Sequence, residues 1–298
     1  MKTTLIYIIL LNWDGYQDTI ECVESCCKLS YPNFRILIID NGSTDNSEAI
    51  LRERFPEIEL IQTGANLGFA GGNNVGIRYA IEHGADYIWL LNNDTVVAAE
   101  ALSALVQVAE GDKTVGMVGS KIVYYANPRL LWYAGAVLDP DRPYLLHHRG
   151  LNEDDRGQFD AACETGYITG CSLLARREMM DIIGLLDDGL FLYFEDADWS
   201  ARAREKGWKL SYCPASLLHH KVSLSVGGAS SPILLYYTAR NRLYFIKRNF
   251  PDKFLGTLLY DFFEHVLVNI KKCRFACAWK ALRGIMDFML NKTGAYKS

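Results

Sequence analysis

The chain has 298 residues, 50% of them hydrophobic and 12% aromatic, with 31 Lys and Arg against 35 Asp and Glu. That composition supplies a substantial core and excludes a disordered protein. The formal charge of -4 hides an asymmetry: from Lys247 onward 10 basic residues stand against 4 acidic ones, a net of +6. An acidic body with a basic tail argues against general nucleic-acid binding and suits a tail that meets an anionic surface.

In chain order, the apolar run Leu5 to Leu11 is read as a first buried strand and not as a signal sequence. It is short, lacks a small-residue cleavage site and runs into Asn12-Trp13-Asp14. No run reaches the roughly 20 apolar residues of a bilayer span. Further strands are expected at Phe34 to Asp40, Ile58 to Gln62, Tyr87 to Leu91 and Val115 to Gly119. The amphipathic segments between them have the lengths of crossover helices, which is the pattern of a mostly parallel sheet. Asp45-Asn46-Ser47-Glu48 reads as a capping box, opening a helix with Leu51 and Phe55 on one face. Gly84 reads as the stop of a helix ending at His83.

Residues 127–158 lose periodicity and are expected to form a long functional loop or a pair of short strands. Beyond them come a strand-like stretch from Tyr167 to Ala175, and helices from Arg177 to Ile183 and Ala197 to Lys206, stopped by Gly184 and Gly207. A strand from Lys209 to Cys213 follows. Past Pro232 the chain reads as helix almost to its end, with a break near Pro251. Eight cysteines make no C-x-x-C pair, so a zinc cage and a thioredoxin-like motif are both disfavoured. Cys22/Cys26 and Cys273/Cys277 are expected as small buried side chains on helices, in a reducing, cytosolic compartment.

Five segments could carry chemistry. Leu91-Asn92-Asn93-Asp94 puts a carboxylate at the rim of a parallel strand, where it can hold a hard divalent cation and diphosphate oxygens; ordinary turn chemistry also accounts for it. Asp40, at another strand end, can accept from a base N–H or a ribose hydroxyl, while Asn41 to Asp45 are explained by a turn and a helix cap. Asn66 to Asn74, with Gly71, Gly72 and Asn73, is a glycine-rich approach to a helix whose backbone N–H groups suit phosphate. It is neither G-x-G-x-x-G nor a Walker loop, and no glycine fingerprint follows the first strand, so dinucleotide dehydrogenases are disfavoured. Finally, Phe194-Glu195-Asp196-Ala197-Asp198-Trp199 gathers three carboxylates in four positions; helix capping explains one or two, and one beside aromatics can act as a general base. Of His219 and His220, which point to opposite faces of an extended segment, only one can face a metal.

Taken together and in this order, these segments resemble the family 2 inverting glycosyltransferases of GT-A fold, and among them the rhamnosyltransferase-like branch. The resemblance rests on Asn12-Trp13, Ile39 to Asp45, Asn66 to Asn73, Leu91 to Asp94, Thr169-Gly170, Phe194 to Asp198 and His220, and covers about residues 3–245. It implies an α/β domain with a mostly parallel, Rossmann-like central sheet flanked by helices over residues 1–245, and a helical, basic extension over 246–298. It further implies a nucleotide-sugar donor, dTDP-rhamnose or a UDP-hexose, and a glycan or lipid-linked acceptor. Asp40, Asn12, Asn66, Gly71 and Asn73 would serve the donor, and Asn93 would sit beside the ribose or the metal shell. Asp94 would bind Mg²⁺ or Mn²⁺, with His220 as a further ligand. Asp196 would deprotonate the acceptor hydroxyl, near Thr169, Gly170, Glu195 and Trp199. One departure is that Asn92-Asn93-Asp94 offers a single carboxylate where two are common, so the ion is expected to arrive with the nucleotide.

Two rivals remain open: a non-catalytic nucleotide-sugar binder on the same fold, and a sugar nucleotidyltransferase. The second lacks support because Asn12-Trp13-Asp14-Gly15 does not match the glycine- and arginine-rich loop of such enzymes. The segment Phe254 to Leu290 mixes large apolar residues with Lys271, Lys272, Arg274, Lys280 and Arg283. It is open to two uses, peripheral contact with the inner face of the cell membrane or a subunit contact in a homodimer. Asp261, Glu264 and Asp287 count against the membrane.

Overall fold

The computed structural model describes residues 4–222 and 231–297. Strand β1 (Ile6–Asn12) leads through α1 (Tyr16–Cys26) to β2 (Phe34–Asp40), then α2 (Ser47–Arg54), β3 (Glu59–Gln62), α3 (Gly68–Glu82) and β4 (Tyr87–Asn92). These four strands are parallel and ordered β3-β2-β1-β4. The chain winds outward from β1 to β3 and then returns to pair β4 on β1's other side. A crevice therefore opens beyond the carboxyl ends of β1 and β4, where open α/β sheets bind ligands.

The short β5 (Thr95–Val97), α4 (Ala101–Gly111) and β6 (Val115–Tyr124) follow, then β7 (Leu131–Tyr133), the hairpin of β8 (Ala136–Leu138) with β9 (Leu146–His148), and β10 (Cys163–Glu164). Residues 127–158 thus hold short strands. Next come β11 (Ser172–Arg176), α5 (Arg177–Ile183), α6 (Glu195–Glu205) and β12 (Lys209–His220). β11 joins β4 and β6 antiparallel, and β12 runs parallel to β6. Two strands differ from expectation. Tyr167 to Cys171 is irregular and only Ser172 onward pairs. β12 continues to His220 because a register shift between Cys213 and Leu217 absorbs Pro214.

Both sheet faces are covered, which is why the parallel strands are apolar throughout. Ile6, Ile8 and Leu10 face α1 and α4, while Tyr7 and Ile9 face α3, α5 and α6. The expected helix stops hold, Gly84 having φ +80° and Gly184 φ +75°. The capping box does not close: Asn46, the cap, is left-handed and makes no side-chain bond, and Asp45 accepts from Ser47 N instead. Cys22 and Cys26 are buried on α1, but Cys273 is exposed in a turn at φ +56°.

From Pro232 onward, α7 (Pro232–Asn249) packs against α10 (Phe275–Met289) around Ala239, Leu243, Ala281 and Ile285. Gly284 permits this crossing, because a Cβ there would collide with Tyr236 O. Between them a long helical rod comprises α8 (Phe254–Tyr260), a π-helical stretch (Asp261–Leu267) and α9 (Val268–Lys271). A boundary at 245/246 falls inside α7.

Candidate active site

At the β1–β2–β3 rim, Asp40 is fully buried. Its Oδ2 accepts from Asn12 Nδ2 at 2.8 Å, and its Oδ1 from Ser43 N at 2.9 Å and Gln62 Nε2 at 2.8 Å. Asn12 Oδ1 accepts from Thr19 Oγ1 at 2.8 Å, and that hydroxyl accepts from Asn93 Nδ2 at 2.9 Å. One chain of hydrogen bonds therefore fixes the rim of three strands across the crevice, and buried polar groups satisfied in this way rigidify a site.

The glycine-rich segment differs from expectation. Phe69 N and Ala70 N at the start of α3 both donate to Phe191 O, at 2.7 and 3.4 Å, so the helix start is already occupied by protein. Gly71 and Asn73 are buried, and Asn73 Nδ2 donates to Phe69 O at 2.9 Å. Gly71 and Asn73 are thus not surface donors for phosphate. The neighbouring glycines allow close packing: a Cβ on Gly72 or Gly76 would meet Leu11 or Ile9. Asn66 Oδ1 accepts from Gly68 N at 2.8 Å and Asn41 Nδ2 at 3.2 Å, holding the turn before α3.

Across the crevice, His220 Nε2 lies 3.1 Å from Asp94 Oδ1, and both residues are buried. The strands explain this meeting: β12 pairs with β5 so that His220 sits opposite Thr95, and Lys221 N donates to Asp94 O at 2.9 Å. His220 points inward against the edge of Trp132, 4.6 Å between ring centroids, while His219 takes the other face. Burial opposes charge on His220, but Cys171 and Asp94 outweigh it and raise its pKa to about 10. Burial also pushes the Cys171 thiol up from its ordinary pKa.

One carboxylate, and one imidazole once a cation displaces its proton, would suit a divalent ion whose remaining ligands are diphosphate oxygens. Among the described residues no group of three or more His, Cys, Asp and Glu could hold a metal by itself. When bound, such an ion would supply positive charge to a leaving phosphate.

Thr169-Gly170-Cys171 joins the two halves. Cys171 O accepts from Asn92 N at 3.0 Å, beside the Asp94–His220 pair, and one residue earlier Gly170 N donates to Asp196 Oδ2 at 2.8 Å. Asp94 and Asp196 thereby approach one peptide segment from two sides. Asp196 Oδ1 accepts from Ala197 N at 2.7 Å. Burial raises the Asp196 pKa above its ordinary 3.8, although the Gly170 and Ala197 amides oppose the rise. Glu195, buried with Oε2 lacking a hydrogen-bond partner, is pushed well above the ordinary range by burial and then by the Asp196 charge. Of this pair, Asp196 is the carboxylate that ionises first.

Trp199 is not near a sugar site. It is fully buried, with Nε1 donating to Gly184 O at 2.9 Å, and packs α6 onto the sheet. Asp198 is likewise structural, accepting from Arg202, Arg248 and Asn249. Thr169 is buried, its Oγ1 accepting from Cys171 N at 3.4 Å.

The loop before Asp196 is strained: Phe191, Tyr193 and Phe194 have φ of +66°, +69° and +73°. Such angles persist in bulky residues only when the surroundings impose them. Here Asn241 imposes them from α7, its Nδ2 donating to Leu190 O, Leu192 O and Tyr193 O at 2.7, 2.8 and 2.9 Å. Arg240, also buried, fixes Asn241 through its Oδ1 at 2.9 Å. Replacing Asn241 with Ala will cost about 3 kcal/mol of stability, because three buried carbonyls lose their donor. Chemical denaturation will measure the loss, and turnover will fall more than donor affinity.

A cavity of about 300 Å³ opens beside Glu195 and Asp196, walled by Tyr144, Tyr193, Tyr167 and His148, with Arg242 at its edge. A hollow of about 390 Å³ near Gln107, Asp112 and Lys209 contains none of the residues above. Gln62, Cys171, Asn241 and Arg242 are site residues that sequence reasoning missed. On the same helix Arg248 pairs with Asp187 and Asp198.

The sheet order and the helices that cover it define a fold of GT-A type, with the carboxylate–imidazole pair and the Glu195–Asp196 pair joined through one peptide segment. The chain belongs to glycosyl transferase family 2, whose sequence profile matches residues 6–183. It is similar to the N-acetylglucosaminyl-diphospho-decaprenol L-rhamnosyltransferase of Mycobacterium tuberculosis, 30% identical over 210 residues covering 62% of this chain. The chain spans 66% of that relative's length. It is also similar to the dTDP-rhamnosyl transferase RfbF of Shigella flexneri, 24% identical, covering 82% of this chain and 80% of RfbF. Among solved structures it resembles GalNAc-T7 with UDP, GalNAc and Mn²⁺, with a TM-score of 0.67 at 17% identity over 85% of this chain and 50% of that one. A mannosyltransferase from Pyrobaculum calidifontis in complex with GDP-Man and Mn²⁺ gives 0.59 at 13% identity, over 96% and 87%. At such identities these two structures speak for the fold.

Proposed function

We propose that this chain transfers a sugar, with inversion and with a divalent cation, from a nucleotide-diphosphate donor to a hydroxyl of a glycan or lipid-linked acceptor in cell-surface polysaccharide synthesis. The observation that carries this reading is the approach of the Asp94–His220 pair and Asp196 from two sides of Gly170-Cys171. The rhamnosyltransferase relatives favour dTDP-rhamnose as donor, with a UDP-hexose as the alternative. Asp40, with Asn12, forms the nucleoside side, and Asn93 stands next to the ribose. Asp94 and His220 hold Mg²⁺ or Mn²⁺ together with the diphosphate.

The chemistry asked of the protein is orientation and one proton transfer. Asp196 accepts the acceptor hydroxyl's proton as that oxygen bonds to the anomeric carbon, and the bond from that carbon to the diphosphate breaks on the opposite face. Glu195, protonated, and the aromatic cavity walls position the acceptor beside Thr169 and Gly170. Residues 1–245 carry this chemistry on the cytoplasmic side of the membrane, and 246–298 provide a surface contact, with a bilayer or in a homodimer.

In a thermal-shift screen of nucleotide sugars with Mn²⁺, dTDP-rhamnose is expected to raise the melting temperature by several degrees, and chelation to remove the gain. No shift with any nucleotide sugar would sink the reading. Labelled donor then separates transfer from mere binding, and pyrophosphate-dependent exchange would point to a nucleotidyltransferase.

A further inference from the structure

We infer that the helices of the C-terminal extension form a docking face for an anionic lipid bilayer. The inference stands on the surface of those helices and not on the transfer chemistry. Along the rod from Phe254 to Lys271, Leu255, Leu259, Phe262, Phe263, Leu267 and Ile270 are all exposed, Phe263 by 54%. Apart from the adjacent Phe262 and Phe263 they recur every three or four residues, and the wider π-helical turn over Asp261–Leu267 keeps them on one broad side of the rod. On α10, which packs against that rod, Phe275, Trp279, Met286 and Leu290 form a second exposed stripe, Phe275 by 65% and Trp279 by 55%. Soluble surfaces scatter such residues singly and do not line them up on neighbouring helices.

Charge decides the occupant. Lys271, Lys272 and Arg274 cluster in the turn that joins the two stripes, and all three are exposed. The acids that count against a membrane in the sequence are mostly turned inward. Asp261 is fully buried and bonded to Arg242. Asp287 is 3% exposed and paired with Arg283, Lys292 and the Tyr236 hydroxyl. Only Glu264 is left on the outside of Phe254 to Leu290. A second copy of this face brings almost no negative charge to the cations, whereas anionic headgroups do. The Asp261–Arg242 bond also ties the rod to the edge of the acceptor cavity, so docking holds that cavity close to the lipid surface.

The test is flotation of the full chain with phosphatidylcholine vesicles, with and without phosphatidylglycerol. Recovery is expected only with the anionic vesicles. Removing Lys271, Lys272 and Arg274 as Gln is expected to lower the partition about fivefold per charge. Phe263→Ser with Trp279→Ser is expected to abolish it, while the Mn²⁺-dependent nucleotide thermal shift of both variants stays at the parent value. Equal recovery with neutral vesicles, no recovery with either, or a concentration-dependent dimer disrupted by Phe263→Ser with Trp279→Ser would overturn the inference.

Discussion

Replacing Asp196 with Asn will slow sugar transfer by about 10²–10⁴-fold and leave nucleotide-sugar affinity near the parent value. The amide is isosteric and can still accept from Gly170 N or Ala197 N, so the turn survives while the proton acceptor is lost. Single-turnover rates with labelled donor will measure the first effect and calorimetry the second. The pH profile supplies an independent check. Catalysis needs Asp196 ionised, and burial raises its pKa above 3.8, so kcat/KM will fall with decreasing pH earlier than an ordinary aspartate allows. Glu195 holds its proton to higher pH still, so the acid limb belongs to Asp196. Undiminished turnover in Asp196→Asn would strip the residue of its role.

Replacing Asp94 with Asn will abolish the Mn²⁺-dependent part of donor binding and reduce transfer on the order of 10³-fold. Among the described residues the carboxylate has one partner suited to the ion, His220, so its loss halves a set that is already sparse. The amide keeps the shape of the side chain, and the backbone bond from Lys221 N to Asp94 O remains, so a folding defect is not expected. Titration of nucleotide with and without Mn²⁺ will read the effect. Full Mn²⁺-dependent affinity in the variant would move the ion elsewhere. Loss of His220 as Ala is expected to be milder, because the Asp94 carboxylate of the pair remains for the ion.

The parallel half of the sheet was legible because its strands are short, apolar and separated by helices of crossover length. Asp40, Asp94 and Asp196 stood out because polar residues at strand ends and at a helix start interrupt those runs. What could not be read is contact between distant segments. Nothing in Cys171 announces that its carbonyl meets Asn92 or that its thiol lies by His220. Gly71 and Asn73 misled, since glycines that let a helix pack close to a sheet look the same as glycines that admit phosphate. Trp199 misled through proximity in sequence: it follows the acids by three residues, but helical geometry turns it into the core. The inward direction of Asp261 and Asp287 is equally a tertiary fact, and it reversed the argument about the basic tail.

The last residues of the chain reach back to the loop that aims Asp196. Gly294 N donates to Gly189 O at 2.6 Å, and Gly294 O accepts from Arg240 at 2.7 Å. A change at Gly294, far along the chain from the acids, therefore acts from behind on the loop that carries them.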